Sequence, residues 1–185
     1  YGKTPELKKH DLESYADWLI NLVDQIGPDV VVLGHSFGSL VVSRAVSKGL
    51  KAKAIVLQNP ITTRSNDQND LANKIARSFY SISVALGRVG SALLRSWLVV
   101  RVMSVAMATS KSLKLRSWIH GQHHQHFSTY RSDRVAHEGF AAASASSVLD
   151  FAKDFTPPTL LIAGENDLIA PLANQIKLQG LIAGS

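Results

Sequence analysis

The spacing of apolar residues predicts alternating helices and short strands in the first third of the chain. Between residues 12 and 26, apolar side chains recur every three or four positions, which is typical of a helix that buries one face, and a Gly-Pro pair then stops it. Two apolar runs rich in Val and Ile, 30–33 and 54–57, indicate buried strands with a helix to about residue 48 between them. A strand, a helix and a strand in this order predict parallel neighbours joined by a right-handed crossover.

The pattern changes twice in the remainder of the chain. From residue 61 to about residue 150, apolar residues follow helical spacing and no convincing strand occurs. Prolines then bound a further apolar run within residues 156–171, which predicts a strand followed by a polar loop. Residues 174–180 indicate the next helix. The chain therefore predicts α/β core segments on either side of a helical insertion.

The sequence Gly-His-Ser-Phe-Gly at residues 34–38 lies between the first strand and the helix that follows it. A serine hydroxyl is a poor nucleophile at neutral pH, so an enzyme that uses one holds it exposed beside a base and amide donors. We expect Gly34 and Gly38 to remove Cβ atoms that would collide where strand and helix cross, which allows a strained backbone at Ser36. The amide of Phe37 at the helix N-terminus would then face a developing negative charge, as half of an oxyanion hole. An ordinary structural turn is the alternative.

With its strand, turn and helix, this motif resembles the nucleophile elbow of the α/β-hydrolase family, which often reads Gly-His-Ser-x-Gly. Ser39 stands where many members carry glycine, and it is small enough for the same helix packing. The resemblance implies the α/β class of fold: a partial α/β-hydrolase core, with a mostly parallel sheet flanked by helices, and an inserted helical cap. It implies core segments at residues 1–60 and 151–185 and a cap at residues 61–150.

The resemblance also implies a catalytic acid in the loop after the late strand. In the family the acid follows a glycine at the strand's end and precedes a proline, and Gly164, Asp167 and Pro171 match that order. Asp167 would accept a hydrogen bond from the catalytic histidine, fix its tautomer and stabilise the imidazolium formed when Ser36 is deprotonated. Asp167 could instead cap the turn that follows it. Glu165 is the second choice of acid.

In the family the catalytic residues follow the order serine, acid, histidine, so the base should come after Asp167. All seven histidines of this chain precede Asp167. We therefore expect the base, and the loop with the second oxyanion donor, to lie beyond this chain, which would be a fragment cut at both ends and inactive alone. His35 is a poor base because a strand-like backbone points it away from Ser36. We expect His10 to be a solvated loop residue.

Four histidines in one segment form the densest group of metal-ligand residues in the chain: His120, His123, His124 and His126. Such clusters can bind zinc or nickel. However, no carboxylate lies inside the cluster, the chain contains no cysteine, and the spacing matches no established ligand signature. We therefore expect exposed, partly protonated side chains here, and we predict neither a metal nor a cofactor.

Composition narrows the class of protein without identifying it. With 185 residues, 45% of them hydrophobic, the chain can bury one sizeable core. The lack of cysteine excludes a disulfide scaffold and thiol catalysis. No run approaches the roughly 20 uncharged apolar residues that span a bilayer. No signal peptide is visible, but we expect the true N-terminus to lie outside this chain, so this absence carries no information about location. A cytoplasmic location is our expectation.

The whole net charge of +6 lies in the predicted cap, residues 61–150. Arginines alternate there with apolar and aromatic residues, so the segment could turn cationic groups to an anionic substrate or associate with an anionic membrane surface. Ordinary solvated arginines are the simpler explanation. No nucleic-acid-binding motif accompanies the basic residues, and we expect no nucleic-acid partner.

Together these features predict a serine hydrolase that acts on a carboxylic ester or a related acyl compound with an apolar pocket. Ser36 would attack the carbonyl, the Phe37 amide would hold the oxyanion, and water would release the acid from an acyl-enzyme. Acyl transfer, perhydrolysis and carbon–carbon bond hydrolysis use the same serine framework and stay open. A noncatalytic binding protein of this fold is the alternative from another class. Substrate identity and oligomeric state are left undetermined.

Overall fold

A computed structural model describes residues 5–64, 86, 89–90, 92, 96–108, 110–127, 132–165, 167 and 170–183. The helices and strands, in chain order, are α1 (Leu12–Ile26), β1 (Val31–His35), α2 (Phe37–Ser47), β2 (Ala54–Gln58), α3 (Trp97–Met107), α4 (Leu113–His126), α5 (Asp133–Ala145), β3 (Thr159–Ile162) and α6 (Leu172–Gln179). Two short 3-10 helices precede β3, at Val148–Asp150 and Ala152–Asp154. The predicted helix over residues 12–26 is confirmed at both ends. The other elements with predicted bounds differ from them by one or two residues at one end or both.

Helix α1 begins and ends where local chemistry dictates. The carboxylate of Asp11 accepts a hydrogen bond from the amide of Ser14 at 2.8 Å, which satisfies one of the unpaired donors of the first turn and lowers the pKa of Asp11. At the other end Gly27 has φ of +107°, a backbone conformation that other residues rarely adopt. The buried side chains of the helix, Leu12, Ala16 and Val23, lie on one face and pack into the core.

The three strands form a parallel sheet in the order β1-β2-β3, as the strand-helix-strand pattern predicts for the first two. On one face the central strand contributes Ile55 and Leu57, both fully buried in the core cluster that also includes residues of α1 and α2. The opposite face of the described sheet carries exposed apolar side chains, among them Leu33 at 58% and Leu160 at 57% exposure, in register with each other across Val56. Helices therefore cover one face of the sheet in the described part of the chain.

Apolar burial, more than surface charge, holds α2 in place. Leu40 is fully buried, and burying such a side chain stabilises a protein by about 1.5–3 kcal/mol. On the surface, the guanidinium of Arg44 binds the carboxylate of Glu13 on α1 through two bonds of 2.7 and 3.0 Å, and Lys48 bonds Asp17 as well as Glu13. Water and salt screen these partly exposed ion pairs, so they orient α2 on α1 rather than provide its main stability.

The chain divides into two compact units. The sheet unit comprises Leu7–Asn69 and Glu138–Ser185, and the second unit comprises Tyr1–Glu6 and Asp70–His137. In the second unit, α3 and α4 pack together, and Ser104 is buried between them. The described helices include none long and apolar enough to cross a membrane. The predicted domain boundaries near residues 60 and 150, and the predicted association of the basic segment with an anionic membrane, stay predictions.

Candidate active site

Ser36 alone connects β1 to α2, and its backbone is strained. Strand β1 ends at His35 and α2 begins at Phe37. Ser36 has φ of +51° and ψ of −118°, a conformation that a residue with a side chain occupies only when its surroundings enforce it, at a cost of about 1–3 kcal/mol. Its hydroxyl makes no capping hydrogen bond to the helix. The side chain of the predicted nucleophile thus stands partly exposed at the N-terminus of an eleven-residue helix.

The close approach of strand and helix explains one of the two glycines of the motif. A Cβ at Gly34 would lie 2.6 Å from the carbonyl oxygen of Gly38 and 2.9 Å from the Cα of Ser39, both backbone atoms. The expected collision at Gly38 is not present, because a Cβ built there meets no described atom within 4 Å. Among the described residues the steric demand therefore falls on Gly34, and our reason for Gly38 finds no support there.

Ser39 is more than a small residue at the helix crossing. Its amide and its hydroxyl both donate to the carbonyl oxygen of Ser36, at 2.9 and 2.5 Å. The same hydroxyl accepts the amide of Ile61 at 3.1 Å, and the side chain is fully buried. The amide of Ser36 in turn donates to the carbonyl of Gln58 at 3.2 Å. Hydrogen bonds therefore hold both the amide and the carbonyl of Ser36. The sequence signal for this role of Ser39 was a hydroxyl at a position where glycine is common in the family.

The candidate acid lies after β3, at the same edge of the sheet as Ser36. Since all three strands are parallel, their carboxyl ends meet at this edge, with β2 between the two sites. Neighbouring strands are about 4.8 Å apart, so the backbones leading to Ser36 and Asp167 are about 10 Å apart. Two hydrogen bonds of about 3 Å and an imidazole ring between them fit such a gap. This placement allows a serine, histidine and aspartate relay but does not supply the histidine.

The carboxylate of Asp167 also makes the contact expected of a turn cap. Its Oδ1 accepts the amide of Ala170 at 2.9 Å, and its own amide donates to the carbonyl of Gly164 at 3.3 Å. A carboxylate has about four acceptor positions, so capping the turn and binding an imidazole are compatible. Glu165, the second choice, has an exposed side chain, whereas Asp167 is partly buried.

Asn59 fixes the acid loop to the central strand, a role that the sequence did not suggest. Its backbone has φ of +44°, in the left-handed region that asparagine tolerates better than most residues. From this position its amide donates to the carbonyl of Ile162 at 2.7 Å, and its side-chain oxygen accepts the amide of Gly164 at 3.0 Å. An Asn-Pro pair directly after a strand is the only signal that could have indicated this special turn.

His10 is buried, which contradicts the expectation of a solvated loop residue. Only 3% of it is exposed, and its Nδ1 lies 3.0 Å from the hydroxyl of Tyr15. Its amide donates to the carboxylate of Glu138 on α5 at 2.8 Å. The loop before α1 is thus packed into the sheet unit. His35, adjacent to Ser36, is exposed.

The histidine cluster on α4 is also less exposed than expected. His120 is 7% exposed, and its Nδ1 lies 2.6 Å from the hydroxyl of Ser104, which is 2.8 Å from Nδ1 of His123 as well. Burial and nearby positive charge lower the pKa of His120, and burial followed by the charge of His124 lowers the pKa of His123. His124 stacks on the ring of Trp97 at 5.1 Å. These three histidines therefore pack between α3 and α4. Among the described residues no group of three potential ligands is placed to hold a metal.

Comparison with known proteins identifies the class to which this fold and turn belong. A profile described as the alpha/beta hydrolase family matches residues 1–182, and the chain is a member of that family. The fold is accordingly a partial α/β-hydrolase core, with a parallel sheet and flanking helices. No curated protein matches the chain.

Solved structures of hydrolases share the fold at low identity. An esterase from Exiguobacterium antarcticum superposes with a TM-score of 0.73 at 17% identity, covering 100% of this chain and 67% of the esterase. A thermophilic esterase from Thermogutta terrifontis gives 0.76 at 17% identity, with 100% and 65% coverage. The enol-lactonase from Burkholderia xenovorans gives 0.70 at 16% identity, with 100% and 66% coverage. The chain therefore spans about two thirds of the length of each, and at this identity the likeness speaks for the fold alone.

Proposed function

We propose that the protein is a serine hydrolase that cleaves a carboxylic ester or a related acyl compound, with Ser36 as nucleophile. The observation that carries this proposal is the strained backbone of Ser36, with φ of +51°, at the junction of β1 and an eleven-residue helix. Such strain persists only when the surroundings enforce it, and at a functional site it presents a side chain in a fixed direction. Membership of the alpha/beta hydrolase family supports hydrolysis as the class of reaction.

The roles of the neighbouring groups follow from charge development during acyl transfer. Attack by the Ser36 oxygen on the carbonyl carbon puts a negative charge on the carbonyl oxygen, and the amide of Phe37 at the helix N-terminus would donate to it. The proton of Ser36 would pass to a histidine that Asp167 orients across the gap described above. As the tetrahedral intermediate collapses, the histidine gives its proton to the leaving oxygen, the alcohol departs, and an acyl-enzyme remains, which water then hydrolyses.

The names of proteins with similar folds support an ester as the class of substrate. The superposed structures include two esterases and an enol-lactonase, and a further one is a monoacylglycerol lipase from Paleococcus ferrophilus at a TM-score of 0.57. All of these names denote cleavage of a carboxylic ester, cyclic or open. We therefore infer that the substrate is a small-molecule ester, and we keep from the sequence the expectation that it is apolar. We infer no nucleic-acid partner.

A fluorophosphonate probe tests the nucleophile in the intact protein. The serine oxygen forms a bond to phosphorus, fluoride leaves, and the serine proton passes to the base, so labelling reports an activated serine without knowledge of the substrate. We expect labelling of the wild type, none of Ser36→Ala, and wild-type labelling of Ser117→Ala, which removes an exposed hydroxyl from α4. A folded intact protein that takes no label would instead support the noncatalytic binding protein.

The acid is tested by the size of the loss in Asp167→Asn. An asparagine keeps an oxygen that can accept the amide of Ala170, so a capping role alone predicts little change in labelling rate. An orienting carboxylate predicts a fall of several orders of magnitude, on the order of 10⁴ where the wrong tautomer results. Glu165→Gln is the matched control, with an unchanged rate expected if Asp167 is the acid.

A further inference from the structure

A series of three contacts leads from α5 to the residue after the predicted nucleophile. The carboxylate of Glu138 accepts the amide of His10 at 2.8 Å. Nδ1 of His10 lies 3.0 Å from the hydroxyl of Tyr15 on α1. The ring of Tyr15 meets the ring of Phe37 edge-on, with centroids 5.6 Å apart and an interplanar angle of 84°. All four residues belong to the sheet unit.

His10, which links Glu138 to Tyr15 in this series, is packed into the fold. The residue is 3% exposed, and its Nε2 is buried with no hydrogen-bond partner in the described structure. Leaving one ring nitrogen of a buried imidazole unsatisfied costs stability in either tautomer, so the contact at the other ring nitrogen is what the buried imidazole provides. Its described side-chain hydrogen bond is the one to Tyr15. The histidine therefore serves to hold the far end of the tyrosine ring.

Tyr15 contacts Phe37, whose amide is the proposed oxyanion donor, so a small movement of Phe37 would change the rate of the reaction. Phe37 is the first residue of α2 and is joined directly to the strained Ser36, so a shift of its side chain moves the amide between them. Oxyanion donors act only within a few tenths of an ångström of the correct position. An edge-to-face aromatic pair is a preferred arrangement with a defined geometry, and a ring held at its hydroxyl end makes that geometry unique.

We propose that Tyr15 is a positioning residue of the active site, which holds Phe37, and hence its amide, in the geometry that stabilises the oxyanion, with His10 as its anchor. The proposal rests on the proposed function of Ser36 and Phe37. Tyr15 touches neither substrate nor reacting atoms in this scheme. Its effect should therefore appear in the chemical step and leave substrate binding unchanged.

The test compares two variants of Tyr15 in the intact protein. Tyr15→Leu removes the ring, and Tyr15→Phe keeps the ring but removes the bond to His10. The measurements are the rate of fluorophosphonate labelling and the kcat and KM for p-nitrophenyl acetate. An aromatic pair accounts for up to about a tenfold rate effect, so we expect kcat and labelling to fall about tenfold in the leucine variant and about two- to threefold in the phenylalanine variant. KM should stay within about twofold of the wild type when binding is not involved.

Phe155→Leu is the control, because it removes an aromatic ring from the core of the same unit, whereas Tyr15 is half-buried. It should lower the melting temperature while the folded protein keeps the wild-type kcat. Equal kcat values in the wild type and in folded Tyr15→Leu would overturn the proposal, as would equal losses in Tyr15→Leu and Phe155→Leu. If Tyr15→Leu does not fold, Tyr15→Phe decides alone, and an unchanged kcat overturns the proposal. A wild type that takes no label refutes the proposed function itself, and the role of Tyr15 with it.

Discussion

Replacing Gly34 by alanine should destabilise the turn at Ser36 for a steric reason that the structure makes quantitative. The added Cβ would lie 2.6 Å from the carbonyl oxygen and 2.8 Å from the carbonyl carbon of Gly38, and 2.9 Å from the Cα of Ser39. All three are backbone atoms of the first turn of α2, so no side chain can rotate away to relieve the overlap. Strand and helix must move apart instead.

The expected loss follows from the competing contributions. Overpacking a close-packed site costs about 1–3 kcal/mol. Against this, alanine restricts the unfolded chain and recovers about 0.4–1 kcal/mol, since φ of Gly34 lies outside the left-handed region. We therefore expect Gly34→Ala to lower the free energy of unfolding by about 1–2 kcal/mol. Because the movement displaces Ser36, labelling by the fluorophosphonate probe should fall by much more than the stability loss alone implies.

Gly38→Ala is the natural comparison, because the two glycines flank the same serine. A Cβ there meets no described atom within 4 Å, and the position lies in the first turn of α2. Alanine is favoured over glycine in a helix by about 0.5–1 kcal/mol, so this variant should be as stable as the wild type or more stable. Urea unfolding of the intact proteins measures both differences. Equal stability of the two variants would refute the steric argument.

Two further predictions concern hydrogen bonds that the structure shows. Ser39→Ala removes the acceptor of the Ile61 amide and should lower the free energy of unfolding by about 1–3 kcal/mol, measured by urea unfolding. Ser39→Thr keeps the hydroxyl and should lose less, so an equal loss would contradict the role of the hydrogen bond. For the pair His120 and His123, burial lowers the pKa in the folded state below the ordinary value of 6.5, so the unfolded chain binds more protons as the pH falls. The contribution of these histidines to stability is complete above about pH 6.5 and is lost as the pH falls below that value towards their lowered pKa values. The urea midpoint should therefore drop between pH 7.5 and 5.5, and the drop should be smaller in His120→Asn; an identical drop in that variant would contradict the assignment.

The bounds of the helices and strands could be predicted from the sequence, and so could the family, because both depend on residues that are close together along the chain. The apolar period of 12–26 is set by the face that one helix buries, and Asp11 caps it through the amide three residues later. The strand, the turn and the helix around residues 34–38 are likewise contiguous, and the family match over residues 1–182 agrees with what that motif predicted. Local pattern also gave the parallel pairing of β1 and β2, since the crossover between them is a single helix.

The tertiary structure alone decided which distant groups meet. Apolar spacing shows that a residue is buried but does not show what it is buried against, so nothing indicated that His10 reaches Tyr15 and Glu138, 128 residues away. The same reason applies to Asn59, whose partners lie at and just after the end of β3, and to Gly38, where an added Cβ meets no described atom within 4 Å. Hydrogen bonds and steric contacts act over about 3–4 Å in space. The separation of two residues along the chain does not predict whether they lie within that distance.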